Sequence, residues 1–431
     1  VFFLLGRAVT HYFNKKKKGE KPPLIIIGKD TRLSCYMLEQ AFASGVCSQG
    51  GKAILTGPLP TPGVAFAIKS MRAEAGVMIS ASHNSFEDNG IKIFDRWGDK
   101  LPDEIEEELE KMILGKQEIP IMHGENLGRA KRLDEIVGRY IVYVKSTFNP
   151  IYDLEGIRIV VDAANGAAYK IAPMIFEELG AEVITIGNSP NGRNINFETG
   201  ATSPQQCMEA VKKYRADLGI CLDGDADRLT LIDSRGEVVH GDRLLGLLAR
   251  FQKEIGALED GDEVVGTIMS NLGLEEYIKS LGLKFFRANV GDRYILNRMK
   301  DEGSYFGGEP SGHIIFKKYS TTGDGILAAL KVIECLKHFK NNLHDLADEI
   351  QMYPQVLINT KVKNKRPFND VPQIKDSLNN FNKELGDEGR IMLRYSGTES
   401  LARVMVEGKD YQKVKDICEE LSKTVAKELS L

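Results

Sequence analysis

The stretch GIRIVVDAANGAAYKIAPMIFEELGAEVITIG, residues 156–187, decides the architecture. It opens with an apolar run at 159–161, breaks into a polar loop, continues at helical length and returns after Gly180 to a second apolar run. An unbroken apolar run of strand length reads as a strand buried on both faces. Two further segments follow the same plan: PLIIIGKDTRLSCYMLEQAFASGVCSQGGKAILTG at 23–57 and DEVVGTIMSNLGLEEYIKSLGLKFFRANVG at 262–291. Their leading strands lie at 24–27 and 264–268. Gly51, Gly180 and Gly282 stand where each helix ends and the chain turns back into a sheet. Strand–helix–strand units of this kind build parallel sheets covered by helices. Repetition at wide intervals predicts three related α/β domains with mixed, mainly parallel sheets.

Beyond Tyr353 the pattern changes to alternating strands, QVLINTKVKN and GRIMLRYSGTESLARVMVEG, and a closing helix. Tyr411, Val414, Cys418, Leu421, Val425 and Leu429 fall on one face of that helix. This predicts a smaller α+β C-terminal domain. Boundaries near Arg139, Gly241 and Tyr353 divide the chain into 1–138, 139–240, 241–353 and 354–431, arranged around a central cleft.

At 431 residues, with 42% hydrophobic and 27% charged residues, the composition is that of a soluble globular protein of several domains. A net charge of −4 argues against a nucleic-acid partner. The lysine run at 15–18 reads as a helix end and solvated loop. No apolar run reaches membrane-spanning length, so no membrane role is expected. The N-terminal VFFLLGRAV lacks the basic start of a signal peptide. The six cysteines are scattered and form no C-x-x-C pair, which fits buried thiols in a reducing, cytoplasmic setting. The glutamates of PDEIEEELEKMIL at 102–114 read as the solvated face of a helix whose other side carries Ile105, Leu109, Met112 and Ile113.

Four polar constellations carry chemistry. In CLDGDADRLTLID, 221–233, Asp223, Asp225 and Asp227 are spaced by two between apolar flanks. Carboxylates packed this closely repel one another unless a cation sits among them. Oxygen ligands suit a hard ion, Mg2+ first in phosphate chemistry. An EF-hand would need Gly and Glu where Arg228 and Ser234 stand. A polar turn is the bland alternative. In GVMISASHNSFEDNGIKIF, 76–94, Ser80 and Ser82 follow a strand. His83, the next residue, points to the opposite side of an extended chain and is poorly placed as a base for Ser82. A serine that carries a phosphoryl group needs a divalent ion and cations; the acid loop can hold the first, and Lys92, brought back toward the serine by a turn at Asn89-Gly90, is one of the second.

The third is GGEPSGHIIF, 307–316, where Glu309, Ser311 and His313 would share one face if extended and could grip sugar hydroxyls or an amine. The fourth is LRYSGTESLARVMVEG, 393–408. Ser396, Gly397 and Thr398 form a tight loop flanked by Arg394 and Arg403, an anion cradle or a plain hairpin turn.

Together and in this order the four motifs resemble the α-D-phosphohexomutase superfamily, from Leu24 nearly to the last residue. AGVMISASHN, EDNGIKIF, VGDRYI and GEPSGH are similar to the branch acting on glucosamine phosphates. The resemblance implies interconversion of glucosamine 6-phosphate and glucosamine 1-phosphate, with glucosamine 1,6-bisphosphate as intermediate and activator. It implies Ser82 as phosphoserine, with His83, Lys92 and Arg228 beside it. One Mg2+ per chain would be held by Asp223, Asp225, Asp227 and the phosphate on Ser82. Glu309 and Ser311 would bind the sugar, and His313 would be an acid/base or positioning residue. Arg394, Ser396, Gly397, Thr398 and Arg403 would bind phosphate. Lys92 and His313 are both open as the proton acceptor.

The family has Pro where Ser85 and Ser400 stand. It also has a glycine-rich segment with an active-site arginine, which would precede Val1. Rivals are a glucose- or mannose-phosphate mutase, a Mg2+ phosphatase with an aspartate nucleophile, and a phosphosugar-binding protein without chemistry. The partner expected is a small phosphosugar; the oligomeric state is open, a homodimer included.

Overall fold

The computed structural model describes residues 1–16, 21–396 and 400–429. The first sheet contains β1 (Leu24–Lys29), β2 (Lys52–Pro58), β3 (Ala75–Ile79), β4 (Ile91–Asp95) and β5 (Arg129–Arg132), ordered β4-β3-β1-β2-β5. The second contains β6 (Arg158–Asp162), β7 (Glu182–Ile186), β8 (Leu218–Leu222), β9 (Leu229–Ile232) and β10 (Val238–Val239), ordered β10-β9-β8-β6-β7. The third contains β11 (Glu263–Thr267), β12 (Lys284–Ala288), β13 (Phe306–Gly308) and β14 (Ile314–Phe316), ordered β12-β11-β13-β14.

One plan underlies all three. The leading strand (β1, β6, β11) lies between the second (β2, β7, β12) and the third (β3, β8, β13), parallel to both. The third strand then reverses into an antiparallel neighbour (β4, β9, β14). Ile25, Ile26 and Ile27, Ile159, Val160 and Val161, and Val264 and Val265 are fully buried, as strands covered on both faces must be. Each such side chain contributes about 1.5–3 kcal/mol on leaving water.

Gly180 and Gly282 turn the chain with φ of 101° and 79°. In the first repeat Gly50 does this, with φ of 76°, and not Gly51. Gly51 instead answers to packing: a Cβ there would lie 2.7 Å from the Thr10 side chain and 2.8 Å from that of Val46. The helix Phe2–Lys16 ends in Lys15 and Lys16, while Lys17 and Lys18 lie outside the described residues. It crosses the helix Leu33–Ser48 at two glycines; a Cβ on Gly6 would collide with Phe42 O, and one on Gly45 with Phe3 O.

The chain forms two compact units, Val1–Met269 with Leu281–Glu349, and Ser270–Ser280 with Ile350–Leu431. The first holds the three sheets above. The second is built on an antiparallel sheet, β15 (Gln355–Lys361), β16 (Gly389–Tyr395) and β17 (Leu401–Gly408), ordered β15-β17-β16. The 270–280 segment precedes this sheet in the chain, yet is stitched to its unit. Asn271 bonds both the N–H and the carbonyl of Tyr353, at 2.9 and 3.0 Å, and Leu272 N donates to Glu407 Oε1 at 2.9 Å. In the closing helix Tyr411–Leu429, Val414, Cys418, Leu421, Val425 and Leu429 are buried, but Tyr411 is 57% exposed. It is the first residue of the helix.

Cys35, Cys207, Cys221, Cys335 and Cys418 are buried free thiols, and Cys47 is half-buried. Among the described residues no helix is long and apolar enough to cross a membrane.

Candidate active site

The polar loops of the first unit occupy the same place in each repeat. Residues 80–90 join β3 to β4, 223–228 join β8 to β9, and 309–313 join β13 to β14. Each leaves the carboxyl end of a third strand, the end at which open α/β sheets bind ligands. Bonds between loops bring the three together.

Ser82 takes φ of 51°, a left-handed conformation that a non-glycine residue adopts only when its surroundings impose it. Its Oγ donates to Asp223 Oδ2 at 2.6 Å. The surroundings are a relay of polar groups behind the loop. Ser82 N donates to Ser80 Oγ at 2.9 Å, and Ser80 Oγ donates to Asp30 Oδ2 at 2.6 Å. Arg32, fully buried, pairs through Nε with Asp30 Oδ2 at 2.8 Å. Its Nη2 donates to Ser82 O at 3.1 Å and Asn84 O at 2.9 Å, and its Nη1 to Ser85 O. Asn196, from the second repeat, donates Nδ2 to Ser82 O and Asn84 O at 2.8 and 2.9 Å. Burial raises the Asp30 pKa against the pull of Arg32.

Asp223, Asp225 and Asp227 are all buried, each with a carboxylate oxygen within 4.8 Å of the others. Lys92 Nζ donates to Asp225 Oδ2 at 2.5 Å and Asp227 Oδ2 at 2.7 Å. Its amino group thus reaches the acid trio that also takes the Ser82 hydroxyl. The antiparallel register explains this: Gly90 O closes on Ser80 N at 3.1 Å, and the Lys92 side chain leaves β4 two residues later, toward the second repeat. Thr61 adds a hydroxyl bond to Asp225 Oδ2 and a backbone bond to Asp225 O at 2.9 Å. Arg228 N donates to Asp223 Oδ1 at 3.1 Å, and Arg228 Nε stands 4.0 Å from Asp227 Oδ1.

Burial, then Asp227 and Asp225, push the Asp223 carboxyl well above its usual range. Burial opposes ionisation of Asp227 too, but Lys92 and His313 outweigh it and hold that carboxyl well below the usual range. Asp225 Oδ1 and Asp227 Oδ1 are buried with no hydrogen-bond partner. Buried carboxylate oxygens left over beside a single ammonium are what an oxygen-liganded divalent cation would satisfy, so the trio fits a metal site.

His313 does not share a face with Glu309 and Ser311. Gly312 N bonds Glu309 O at 3.0 Å, with Gly312 at φ of 82°, so the segment is a tight turn and strand alternation does not run through it. Ser311 Oγ donates to Glu309 Oε2 at 3.3 Å, and Gly291 N donates to Glu309 Oε1 at 2.9 Å. His313 is buried on the other side. Gly323 N donates to its Nε2 at 3.0 Å, which leaves the ring proton on Nδ1, 3.7 Å from Asp227 Oδ1. Asp292, which also pairs with Lys100, lies 3.7 Å from Nε2. His83 Nδ1 is buried and unpartnered; burial and then the Arg228 charge lower the pKa of that ring.

In the second unit Arg394 and Arg403 are directly opposed across β16 and β17. Burial and then Arg403 lower the Arg394 pKa. Opposed like charges destabilise a sheet unless an anion bridges them. Ser396 is buried nearby, and Lys365 Nζ donates to its carbonyl at 2.7 Å. Gly397 and Thr398 lie outside the described residues.

Sequence reasoning missed Asp30, Arg32, Thr61, Asn196, Asp292 and Lys365. Asp30 had a signal: it follows β1 as Asp162 closes β6, and both buried carboxylates accept from the backbone two residues on, Arg32 N and Ala164 N, at 2.9 Å.

Family models described as phosphoglucomutase/phosphomannomutase α/β/α domains I, II and III match residues 1–119, 139–236 and 240–353, and the C-terminal domain model matches 357–424. A phosphoglucosamine mutase from Bdellovibrio bacteriovorus is 47% identical over 429 residues, covering 99% of this chain and 94% of that one. Another from Nitratidesulfovibrio vulgaris is 47% identical over 414 residues, covering 96% and 92%. A phosphoglucomutase/phosphomannomutase family protein from Burkholderia thailandensis superposes with a TM-score of 0.81 at 20% identity, covering 100% and 95%. An Aspergillus fumigatus N-acetylphosphoglucosamine mutase in complex with GlcNAc-6P and magnesium gives 0.65 at 18% identity, covering 85% and 92%.

Proposed function

The chain belongs to the phosphoglucosamine mutase family of the α-D-phosphohexomutase superfamily, and from that premise we propose that it interconverts glucosamine 6-phosphate and glucosamine 1-phosphate through a phosphorylated Ser82. The observation that carries the reading is the 2.6 Å contact between Ser82 Oγ and Asp223, first of three buried carboxylates. A transferable group on that hydroxyl would sit beside a cation site.

Phospho-Ser82 gives its phosphoryl group to the free hydroxyl of bound glucosamine 6-phosphate; the Oγ–P bond breaks as the sugar O–P bond forms, and the hydroxyl proton ends on Ser82 Oγ. The 1,6-bisphosphate reorients, and its other phosphate returns to Ser82. Mg2+ held by Asp223, Asp225 and Asp227 would withdraw charge from the transferring group when bound. Glu309 is the partner for the substrate ammonium and Ser311 for a neighbouring hydroxyl. Arg394 and Arg403, with Ser396, Gly397 and Thr398, are the phosphate-binding group of the second unit.

Of the two candidates for proton transfer, His313 has Nε2 engaged by Gly323 and Nδ1 facing Asp227. We assign it to holding Asp227. Burial opposes the Lys92 charge, but Asp225 and Asp227 raise its pKa. Lys92 therefore enters the cycle as a charge partner. Buried free thiols fit a reducing cytoplasm as the site of action.

Ser82→Ala decides the reading. The variant should lose turnover, and one phosphate should be missing from its intact mass; full activity would end the mechanism. Glucose and mannose 6-phosphates, assayed beside glucosamine 6-phosphate, test the choice of sugar.

A further inference from the structure

Ser82 Oγ reaches Asp223 by donating a proton, and phosphorylation removes that proton. The ester oxygen cannot donate, and the added charge repels the carboxylate. In the phosphorylated state the side chain can meet the trio only through a cation, and the direct tie to the second repeat falls to the backbone. Asn196 Nδ2 is bonded to both Ser82 O and Asn84 O, at 2.8 and 2.9 Å. Two carbonyls converging on one end of the amide identify that end as nitrogen. Arg32 holds the same two carbonyls, but from the serine's own repeat. Asn196 comes from the repeat that carries the acid trio.

Its own base is firm. Asn196 N donates to Ala164 O at 2.9 Å, and Ile195 beside it is buried. The metal-ligand loop passes flat against the contact: a Cβ on Gly224 would lie 2.6 Å from Ser82 O and 2.8 Å from Asn196 Nδ2.

We infer that Asn196 is a positioning residue that locks the Ser82 backbone to the second repeat, keeping the phosphoserine aimed at the acid trio when its side chain no longer bonds Asp223 directly. The inference rests on the phosphoserine reading.

Asn196 has φ of 57°, so the test needs residues that tolerate this conformation. Asn196→Asp keeps size and backbone but turns an oxygen on both carbonyls; Asn196→Gly removes the side chain. Misplacement of a reacting group by about 1 Å costs up to about 100-fold in rate. Both variants should lose about 10- to 100-fold in kcat for glucosamine 6-phosphate with KM unchanged, and amide hydrogen exchange over residues 80–86 should accelerate. Wild-type kcat in the Asp variant, or wild-type exchange in both, overturns the inference. If the wild-type protein turns over no sugar phosphate, the mutase reading falls, and the exchange comparison still decides whether Asn196 holds the loop.

Discussion

Lys92 Nζ lies 2.5 Å from Asp225 Oδ2, so a strand of the first sheet supplies the counter-charge inside a carboxylate trio of the second. The carboxylates that hold this ammonium are the ones a divalent ion would need.

Removing the ammonium should therefore tighten metal binding while it impairs catalysis. Lys92→Met is expected to lower kcat at least about 100-fold, as loss of a charge-stabilising group at a site of phosphoryl transfer does. The Kd for Mg2+ should fall about tenfold, an interaction of roughly 1.4 kcal/mol. Isothermal titration of both proteins with MgCl2, alongside a turnover assay, reads both effects.

The Asp30–Arg32 pair is buried on both sides, and truncating one member strands the other's charge. Arg32→Met should destabilise the fold by about 3–5 kcal/mol. Adding Asp30→Asn should recover part of that loss, because no uncompensated charge remains. Urea denaturation of the single and double variants measures the difference.

Asp324 is buried at the start of the helix Gly325–Phe339, accepting from Ile326 N, Leu327 N and Tyr140 OH, and burial raises its carboxyl to about 6. Between the ordinary carboxyl value and about 6 the folded chain keeps a proton that the unfolded chain has lost. This group's contribution to stability therefore falls as pH rises from about 4 to about 6, then levels off. Asp324→Asn keeps an oxygen for the cap and lacks this slope. Across that window it should gain on the wild-type protein by on the order of 3 kcal/mol, read as the difference between the two denaturation series.

Glu309→Gln keeps an acceptor for Gly291 N but loses the charge that would meet a substrate ammonium. Its kcat/KM for glucosamine 6-phosphate should fall about 10- to 100-fold, the loss of a buried charged hydrogen bond, while that for glucose 6-phosphate changes little. An equal fall for both sugars would assign Glu309 to the loop rather than to selection.

The repeat architecture was legible because its strands are buried on both faces; runs such as 25–27 and 159–161 carry no polar alternation to confuse them. The acid trio was legible because three aspartates at spacing two have few other uses. The His313 position was not. Its reading assumed an extended chain, and Pro310 and Gly312 make a turn instead. Tyr411 matched a helical period but is exposed at the first residue of its helix. Arg32 and Asn196 were invisible for a different reason. They bond backbone carbonyls fifty or more positions away, and carbonyls leave no mark in a sequence.

The three chemistry-bearing hairpins also bear on how such a protein can originate. Copying one strand–helix–strand unit copies its hairpin tip with it, already at the ligand-binding end of the new sheet. Descendants of a single ancestral tip could then specialise, one accepting the transferred group, one the ion and one the sugar, by exchanging a handful of residues while every core stayed intact. Ancestral reconstruction would look for that history first in the tips.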